Sequence, residues 1–261
     1  MLRPLAIDVT TFNIPQGVTE HIRVNVARGL PELLPAICSH DGTFVIAGSG
    51  PSLASTFEGI KDERSKGRPV CAVNGAHDFL IKNGIEPDLF LTIDPRDMRH
   101  NVKEATENTV YLLASRASPI MFDYLKERHV MLWHAASGED ERKLMAELGI
   151  KYMIGGTSTS GMRAVNVAYY MGYRKVVMFG MDSCNAPDGI TKRVDGSLTG
   201  QTIEVVVGGS HDKFTCNVAM AQQAQDFQSL WTMMPDVSVD IRGGGLLAAI
   251  LEERKRRGFW T

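Results

Sequence analysis

Short apolar runs alternate with amphipathic stretches along most of the chain. The apolar runs predict strands at Thr43–Ala47, Pro69–Val73, Asp88–Ile93, Val110–Ala114, Val130–His134, Lys175–Phe179 and Val237–Ile241. The stretches between them predict helices at Ser52–Arg64, Ala76–Asn83, Pro119–Glu127, Glu139–Leu148, Met162–Met171, Asn217–Met233 and Leu246–Arg256. Apolar strands that are each followed by a helix are typical of a parallel sheet covered on both faces. We therefore predict an α/β fold with a doubly wound, mostly parallel, Rossmann-like sheet.

Two regions depart from this alternation. Residues 1–40 have mixed patterning, and we predict an N-terminal leader there, in which His21–Leu30 could form a short helix. Residues 41–261 would then form one Rossmann-like domain. Within that domain, residues 183–212 are rich in Gly, Asp, Ser and Thr and include the β-prone run Thr202–Val207. A long stretch without strong periodicity inside a compact domain is typical of a lid or an active-site loop.

Composition narrows the function classes. The 261 residues, at 28.7 kDa, suit one α/β domain with a lid. The net charge of −2 excludes a generic basic coat for nucleic acid. The cysteines form no CxxC pair, so neither a zinc knuckle nor a disulfide scaffold is indicated. No apolar run approaches the roughly 20 residues that span a bilayer, and the first residues lack a secretory signal. These features predict a cytoplasmic protein.

The strongest motif follows the first predicted strand, where the chain reads Gly48-Ser49-Gly50-Pro51-Ser52. Its glycines allow a tight turn and a close approach to a ligand. Pro51 suits the first turn of a helix, which Ser49 or Ser52 can cap. The free amides of such a turn predict an anion site, although a capped turn that binds no ligand would have the same sequence pattern. The loop has neither the Walker lysine nor a full GxGxxG, which argues against ATP motors and dinucleotide enzymes.

Polar residues also follow the other predicted strands. Asn74, before Gly75, can both donate to and accept from a base or a ribose, although Asn-Gly is also a common turn. Asp94 can hold a metal ion or a ribose hydroxyl, or can belong to a turn before Pro95. Asp182 follows the strand Lys175–Phe179, in the segment Gly180-Met181-Asp182. A further cluster of hydroxyls and glycine opens the helix at Met162: Thr157, Ser158, Thr159, Ser160 and Gly161. Because parallel strands share one carboxyl edge, we expect all these groups to converge there.

His211 closes the predicted lid just before a long helix. Near its usual pKa, an imidazole can remove the proton of an acceptor hydroxyl. A structural role for an isolated loop histidine is equally compatible with the sequence.

The order of these motifs resembles the small bacterial sialyltransferases, which share the strand–loop, the Asn, the Thr-Ser-Gly helix and the Gly-hydrophobic-Asp strand end. Here these are Ala47–Leu53, Asn74, Thr159–Gly161 and Gly180–Asp182. Together with Gly84–Asp88 and Asp94-Pro95, the same segments look still closer to a related superfamily. It contains motility-accessory-factor proteins implicated in flagellin glycosylation and the archaeal 6-hydroxymethylpterin diphosphokinases. The similarity covers roughly residues 43–250.

The resemblance implies a donor site in which Gly48–Ser52 and Thr157–Gly161 hold phosphate and ribose, with Asn74 on the base or ribose. His211 would be the general base, and Asp182 would hold the loop or contact a sugar hydroxyl. The implied activity is an inverting glycosyltransferase that uses a CMP- or UDP-type nucleotide sugar. Its acceptor would be a glycan, a protein or a modified nucleic acid. The sialyltransferases carry tyrosines after Gly-hydrophobic-Asp, whereas this chain has Ser183-Cys184-Asn185, so Lys192 or Arg193 could substitute.

Two alternatives stay open. The first is a pterin-type diphosphokinase, which would need Mg²⁺ held by acids such as Asp94 and Asp182 because diphosphate transfer concentrates charge. The second is a non-catalytic nucleotide-binding module. The apolar and Gln positions of Met220–Met233 could also pack on a second copy of the chain in a homo-oligomer.

Overall fold

The computed structural model describes residues 17–208 and 212–259. The strands in these ranges are β1 His40–Ala47, β2 Val70–Val73, β3 Leu89–Thr92, β4 Val110–Ala114, β5 His129–Trp133, β6 Tyr173–Phe179, β7 Ile203–Val206, β8 Lys213–Cys216 and β9 Ser238–Arg242. The α-helices are α1 Val18–Val26, α2 Leu53–Thr56, α3 Glu58–Ser65, α4 Ala76–Lys82, α5 Pro119–Tyr124, α6 Glu139–Glu147, α7 Ser160–Tyr170, α8 Val218–Gln228, α9 Leu230–Met233 and α10 Leu246–Arg256. A 3₁₀ helix spans Arg99–Asn101.

The central sheet has seven strands in the order β5-β4-β3-β2-β1-β6-β9, and every adjacent pair is parallel. The predicted fold class is therefore confirmed. From β1 the chain winds outward to β5 on one side and then returns to place β6 on the other side. The carboxyl ends of β1 and β6 thus flank the topological switch point, where doubly wound sheets open a crevice for ligands.

Strand β1 shows why the apolar runs predict this sheet. Phe44 and Ile46 face a core shared with α7, α8 and α10, whereas Val45 and Ala47 face a second core built with α2, α3 and α4. All four side chains are fully buried. A strand buried on both faces loses the alternation of polar and apolar residues, which explains the continuous run Phe44–Ala47.

Two predicted helices are broken in the structure. The segment predicted as one helix, Ser52–Arg64, forms α2 and α3, which meet at Phe57, whose ring packs edge-on against Phe79. The segment predicted at Asn217–Met233 forms α8 and α9, separated at Ser229. There Trp231 packs on Phe227 and donates its Nε1 hydrogen to the carbonyl of Val237. These tertiary contacts override a periodicity that continues through both breaks.

Residues 17–40 pack against the sheet domain. The helix suggested at His21–Leu30 is instead α1, Val18–Val26, which begins after Gly17 at φ 89°. Val18 and Ile22 are buried against Leu144 of α6. Asn25 Nδ2 donates to the carbonyls of Ser115 and Ala117 at 2.9 and 2.8 Å. The domain boundary at residue 40 stays a prediction.

The region predicted as a lid, residues 183–212, contains β7, so the β-prone run Thr202–Val207 does include a strand. Strand β7 pairs in an antiparallel sheet with β8, which lies just after that region. Before this sheet, the Val194 amide donates to the Ser49 carbonyl at 2.9 Å. The segment therefore reaches the loop that follows β1. None of the helices in the described ranges is long and apolar enough to cross a membrane.

Candidate functional site

The Gly48–Ser52 loop packs directly on the end of β6. The Gly48 amide donates to the Phe179 carbonyl and the Gly50 amide to the Gly180 carbonyl, each at 2.8 Å. A Cβ atom at Gly50 would lie 2.1 Å from Asp182 Oδ2 and 2.6 Å from the Gly180 oxygen. Only glycine fits this close approach, which fixes the floor of the crevice at the switch point.

Asp182 holds this loop. Its carboxylate accepts a hydrogen bond from the Ser52 hydroxyl at 3.0 Å, and the Ser52 amide lies 3.3 Å from both carboxylate oxygens. Burial raises the pKa of Asp182 above its usual value, and the hydrogen bonds from Ser52 act against that rise. The expected cap on α2 is not formed by Ser52, because its hydroxyl turns to Asp182 instead. The Ser52 amide is one of the loop amides predicted to bind a ligand anion, and it already contacts this carboxylate.

Asn74 lies beside the same loop. It adopts a left-handed backbone conformation at φ 48°, and its Oδ1 is buried without a hydrogen-bond partner among the described residues. A Cβ atom on the next residue, Gly75, would lie 3.4 Å from Ser49 Cβ and 3.3 Å from Asn101 Oδ1. Ser49, Asn74 and Asn101 therefore surround one position at the ends of β1 and β2.

Asn101 is a candidate site residue that the sequence did not reveal. It is 3% exposed, and within the described ranges its Nδ2 has no hydrogen-bond partner. It lies on the 3₁₀ helix Arg99–Asn101, whose three residues are too short to show periodicity. Together, Asn74 Oδ1 and Asn101 Nδ2 offer an unmet acceptor and an unmet donor near the same glycine.

The hydroxyls before α7 have partners within the protein. Ser158 donates to Asp226 from both its amide and its hydroxyl. Thr159 caps α7, since its Oγ1 accepts from the Met162 amide at 3.3 Å. The other two hydroxyl contacts are Thr157 Oγ1 to Asn166 Oδ1 at 3.3 Å and the Ile93 amide to Ser160 Oγ at 3.4 Å. These groups position α7 beside the end of β3.

Met181 joins the two glycine-containing loops. Its Sδ would lie 2.6 Å from a Cβ atom on Gly48, and its Cε 2.8 Å from one on Gly161. The start of α7 and the loop after β1 thus contact the same side chain. With the bond from Ile93 to Ser160, the structure brings the ends of β1, β3 and β6 together with the start of α7.

Asp94 is held by a neighbouring arginine. Arg96 donates from Nε at 2.8 Å and from a terminal nitrogen at 2.5 Å, one bond to each carboxylate oxygen. Burial would raise the pKa of Asp94, but the hydrogen bonds and charge of Arg96 bring the pKa below its usual value. The strand end before Asp94 is fixed by Arg116, which donates to the Ile93 carbonyl and forms a buried bidentate pair with Glu141.

The carboxylates do not form a ready metal site. Asp94 is engaged by Arg96 and Asp182 by Ser52. Across residues 17–208 and 212–259, no group of three or more His, Cys, Asp or Glu side chains is arranged to hold a metal ion. A Mg²⁺ ion at Asp94 or Asp182 would therefore need further ligands from its substrate, as is usual for Mg²⁺.

His211, the predicted general base, lies outside the described residues. Lys192 and Arg193, the cations suggested to support a leaving phosphate, lie immediately before Val194, whose amide contacts Ser49. Their backbone is therefore close to the loop after β1.

Comparisons with known proteins give a family match and a fold match. The family model described as 6-hydroxymethylpterin diphosphokinase MptE-like matches residues 18–188. Among solved structures, the chain is similar to the MAf glycosyltransferase from Magnetospirillum magneticum AMB-1, with a TM-score of 0.66 and 14% identity over 93% of this chain and 42% of that chain. A mammalian sialyltransferase in complex with Gal-beta-1-3GalNAc-ortho-nitrophenol gives a TM-score of 0.43 and 9% identity over 90% of this chain and 82% of that chain. No curated protein matches significantly. Because the match covers 42% of the MAf glycosyltransferase, this chain spans less than half the length of that protein.

Replacing Gly50 with Ala tests the contact at the switch point. The new methyl group has no room beside Asp182, so we expect a loss of about 1–3 kcal/mol in the free energy of unfolding, as for overpacked cores. Urea denaturation of the variant and the parent protein measures it. Gly200→Ala is the matched control, since no heavy atom lies within 4 Å of its new Cβ atom. Equal stability of both variants would contradict the assigned packing.

Proposed function

We propose that this chain, which belongs to the 6-hydroxymethylpterin diphosphokinase MptE-like family, is a transferase that binds a nucleotide-activated donor at the carboxyl edge of its sheet, and that it transfers a sugar. The proposal rests on one observation, the packing of the Gly48–Ser52 loop on Gly180 and Asp182 at the switch point. Ligands of doubly wound sheets bind in the crevice at that point.

The nucleoside part of the donor is proposed to bind beside Asn74 and Asn101. The buried Oδ1 of Asn74 and Nδ2 of Asn101 have no partners among the described residues. Buried polar groups without partners are costly, so a ligand that satisfies both gains affinity. A nucleobase edge or a ribose diol supplies a donor and an acceptor side by side. The donor phosphate would then lie toward Ser49, because the Ser52 amide is already bound by Asp182.

The proposed chemistry is an inverting displacement. His211 accepts the proton of the acceptor hydroxyl while the oxygen of that hydroxyl attacks the anomeric carbon of the sugar. The bond between that carbon and the phosphate oxygen breaks, and the nucleotide leaves with the electron pair. The leaving phosphate gains negative charge, and fixed donors or cations lower the barrier by stabilising it. Lys192 and Arg193 are the proposed cations.

The description of the family favours a second candidate, transfer of a diphosphate to a pterin alcohol. Such a reaction would need a divalent ion near the phosphates. Both carboxylates suited to that ion have partners, since Asp94 is paired with Arg96 and Asp182 with Ser52. No third acid joins them among the described residues. Sugar transfer by the displacement described above needs no ion held by these acids and is the preferred proposal, with non-catalytic nucleotide binding as the remaining alternative.

A panel of nucleotides separates these functions. Ligands that bind only the folded state raise its melting temperature. We expect CMP or UDP to raise the Tm without Mg²⁺, and GDP, ADP and ATP to have smaller effects. A shift seen only with ATP and Mg²⁺ would favour the diphosphokinase instead. If no nucleotide raises the Tm, with or without Mg²⁺, the proposal is wrong.

The role of His211 is tested with His211→Ala. Loss of a general base lowers turnover by about 10²–10⁴-fold, whereas the nucleotide affinity should hardly change. Release of nucleotide from the nucleotide sugar identified by the panel measures turnover, and titration calorimetry measures affinity. The matched control is His40→Ala, because His40 is exposed at the amino edge of the sheet. Full activity in the His211 variant would rule out the general base.

Substitutions of Asn74 separate its backbone role from its side-chain role. Asn74→Gly keeps the left-handed conformation available, whereas Asn74→Ala should cost about 1–2 kcal/mol of stability. Both variants lack the side-chain amide of Asn74. We therefore expect both to bind the nucleotide at least about tenfold more weakly, since losing one hydrogen bond of about 1.4 kcal/mol lowers affinity tenfold. Unfolding and calorimetry give the two quantities. Parent-like affinity in Asn74→Gly would show that Asn74 serves only the turn.

A further inference from the structure

A cavity of about 530 Å³ lies at the amino end of β5, on the edge of the sheet opposite the loop after β1. Its walls come from the chain after α1, from α5 with the turn that follows it, and from the start of β5. We call it the Arg128 cavity. Its volume falls within the range that small-molecule sites occupy.

The Arg128 cavity is lined by cations. Arg28, Lys126 and Arg128 contribute three positive charges, His129 adds an imidazole, and its lining includes no Asp or Glu. This concentration contrasts with a net charge of −2 for the whole chain. Arg28 pairs with Asp123 at 2.8 Å, but the Asp123 side chain is 67% exposed. An exposed ion pair is weak, so a bound anion can compete with Asp123.

Both arginines have unused hydrogen-bonding capacity. The Nε atoms of Arg28 and Arg128 are buried, and neither has a partner within the described residues. Buried donors are normally paired, and those of a guanidinium favour oxygen anions in particular. Both side chains line the same cationic cavity, and guanidinium groups there favour an oxygen anion.

The rest of the wall is apolar. The ring of Phe122 is almost fully buried and faces the Arg28 guanidinium, whose carbon lies 5.4 Å from the ring centroid. Leu30 and Val130 extend this apolar surface. A ligand that matches the cavity therefore carries a compact negative charge on an apolar body.

We propose that the Arg128 cavity binds a soluble phosphate monoester of an aromatic or apolar alcohol. The phosphate lies among Arg28, Lys126 and Arg128, and the organic group lies on Leu30 and Val130. This site is separate from the proposed donor site, because it lies at the amino edge of β5, whereas the donor loop follows the carboxyl end of β1. The proposal of a phosphate site in the Arg128 cavity does not depend on the proposed sugar transfer.

Phenyl phosphate is the probe, and titration calorimetry at low salt measures its Kd. We expect the double variant Arg28→Gln and Arg128→Gln to bind at least about tenfold more weakly, because two charge-assisted contacts are lost. Lys126→Gln, an exposed substitution that leaves the buried groups intact, should weaken binding about threefold and serves if the double variant does not fold. Added salt should weaken binding to the parent protein.

Two controls make the result specific. Lys151→Gln removes an exposed cation outside the cavity and should leave the Kd unchanged. Gly50→Ala, which disturbs the donor loop, should also leave it unchanged, whereas a loss there would assign the binding to the donor site and overturn the proposal. A parent-like Kd in the folded double variant or in Lys126→Gln would overturn it as well. So would binding to phosphatidic acid vesicles without any binding of phenyl phosphate, since that result points to a membrane surface.

Discussion

The contact of Asp182 with Ser52 is the constraint on which the candidate site depends. It joins residues 130 positions apart in the sequence, across the two strands that flank the switch point. A buried carboxylate is costly unless hydrogen bonds stabilise it, and Ser52 provides these from both its amide and its hydroxyl. The close approach is possible only because Gly50 has no side chain. The motif Gly-Ser-Gly-Pro-Ser therefore serves the packing of the loop before it serves any ligand.

This constraint also decides where a ligand can bind. The Ser52 side of the loop faces Asp182, and the Ser49 carbonyl accepts a bond from the Val194 amide. The side that remains faces Asn74, Gly75 and Asn101. A phosphate held by the whole loop, as in a P-loop, would have to displace Asp182. A donor bound mainly through its nucleoside, with its phosphate at the rim of the loop, requires no such change.

The sequence predicted the sheet well because its inner strands β2, β3 and β4 are short, apolar and buried on both faces. Strand β4 has the predicted bounds, and the other six strands of the sheet differ only at their ends. Parallel topology then places Gly48, Asn74, Asp94 and Asp182 along one edge without knowledge of any contact. Pairings over long separations leave no periodic signal, so Arg116 with Glu141 and Ser158 with Asp226 could not be predicted. Asn101 was missed for a similar reason, since it enters the site from a 3₁₀ helix in an irregular segment.

The separation of the two edges has a consequence for electrostatics. At the carboxyl edge, Arg96 is paired with Asp94 and Arg116 with Glu141. A ligand there would therefore contact amide and hydroxyl groups more than these charged side chains. The Arg128 cavity at the amino edge of β5 instead leaves cations without buried acids. Binding of an uncharged nucleoside at the carboxyl edge should thus depend on hydrogen-bond geometry and little on ionic strength, whereas binding of an anion at the amino edge should weaken as salt screens its charges. A single salt series can therefore tell the two kinds of site apart without any substitution.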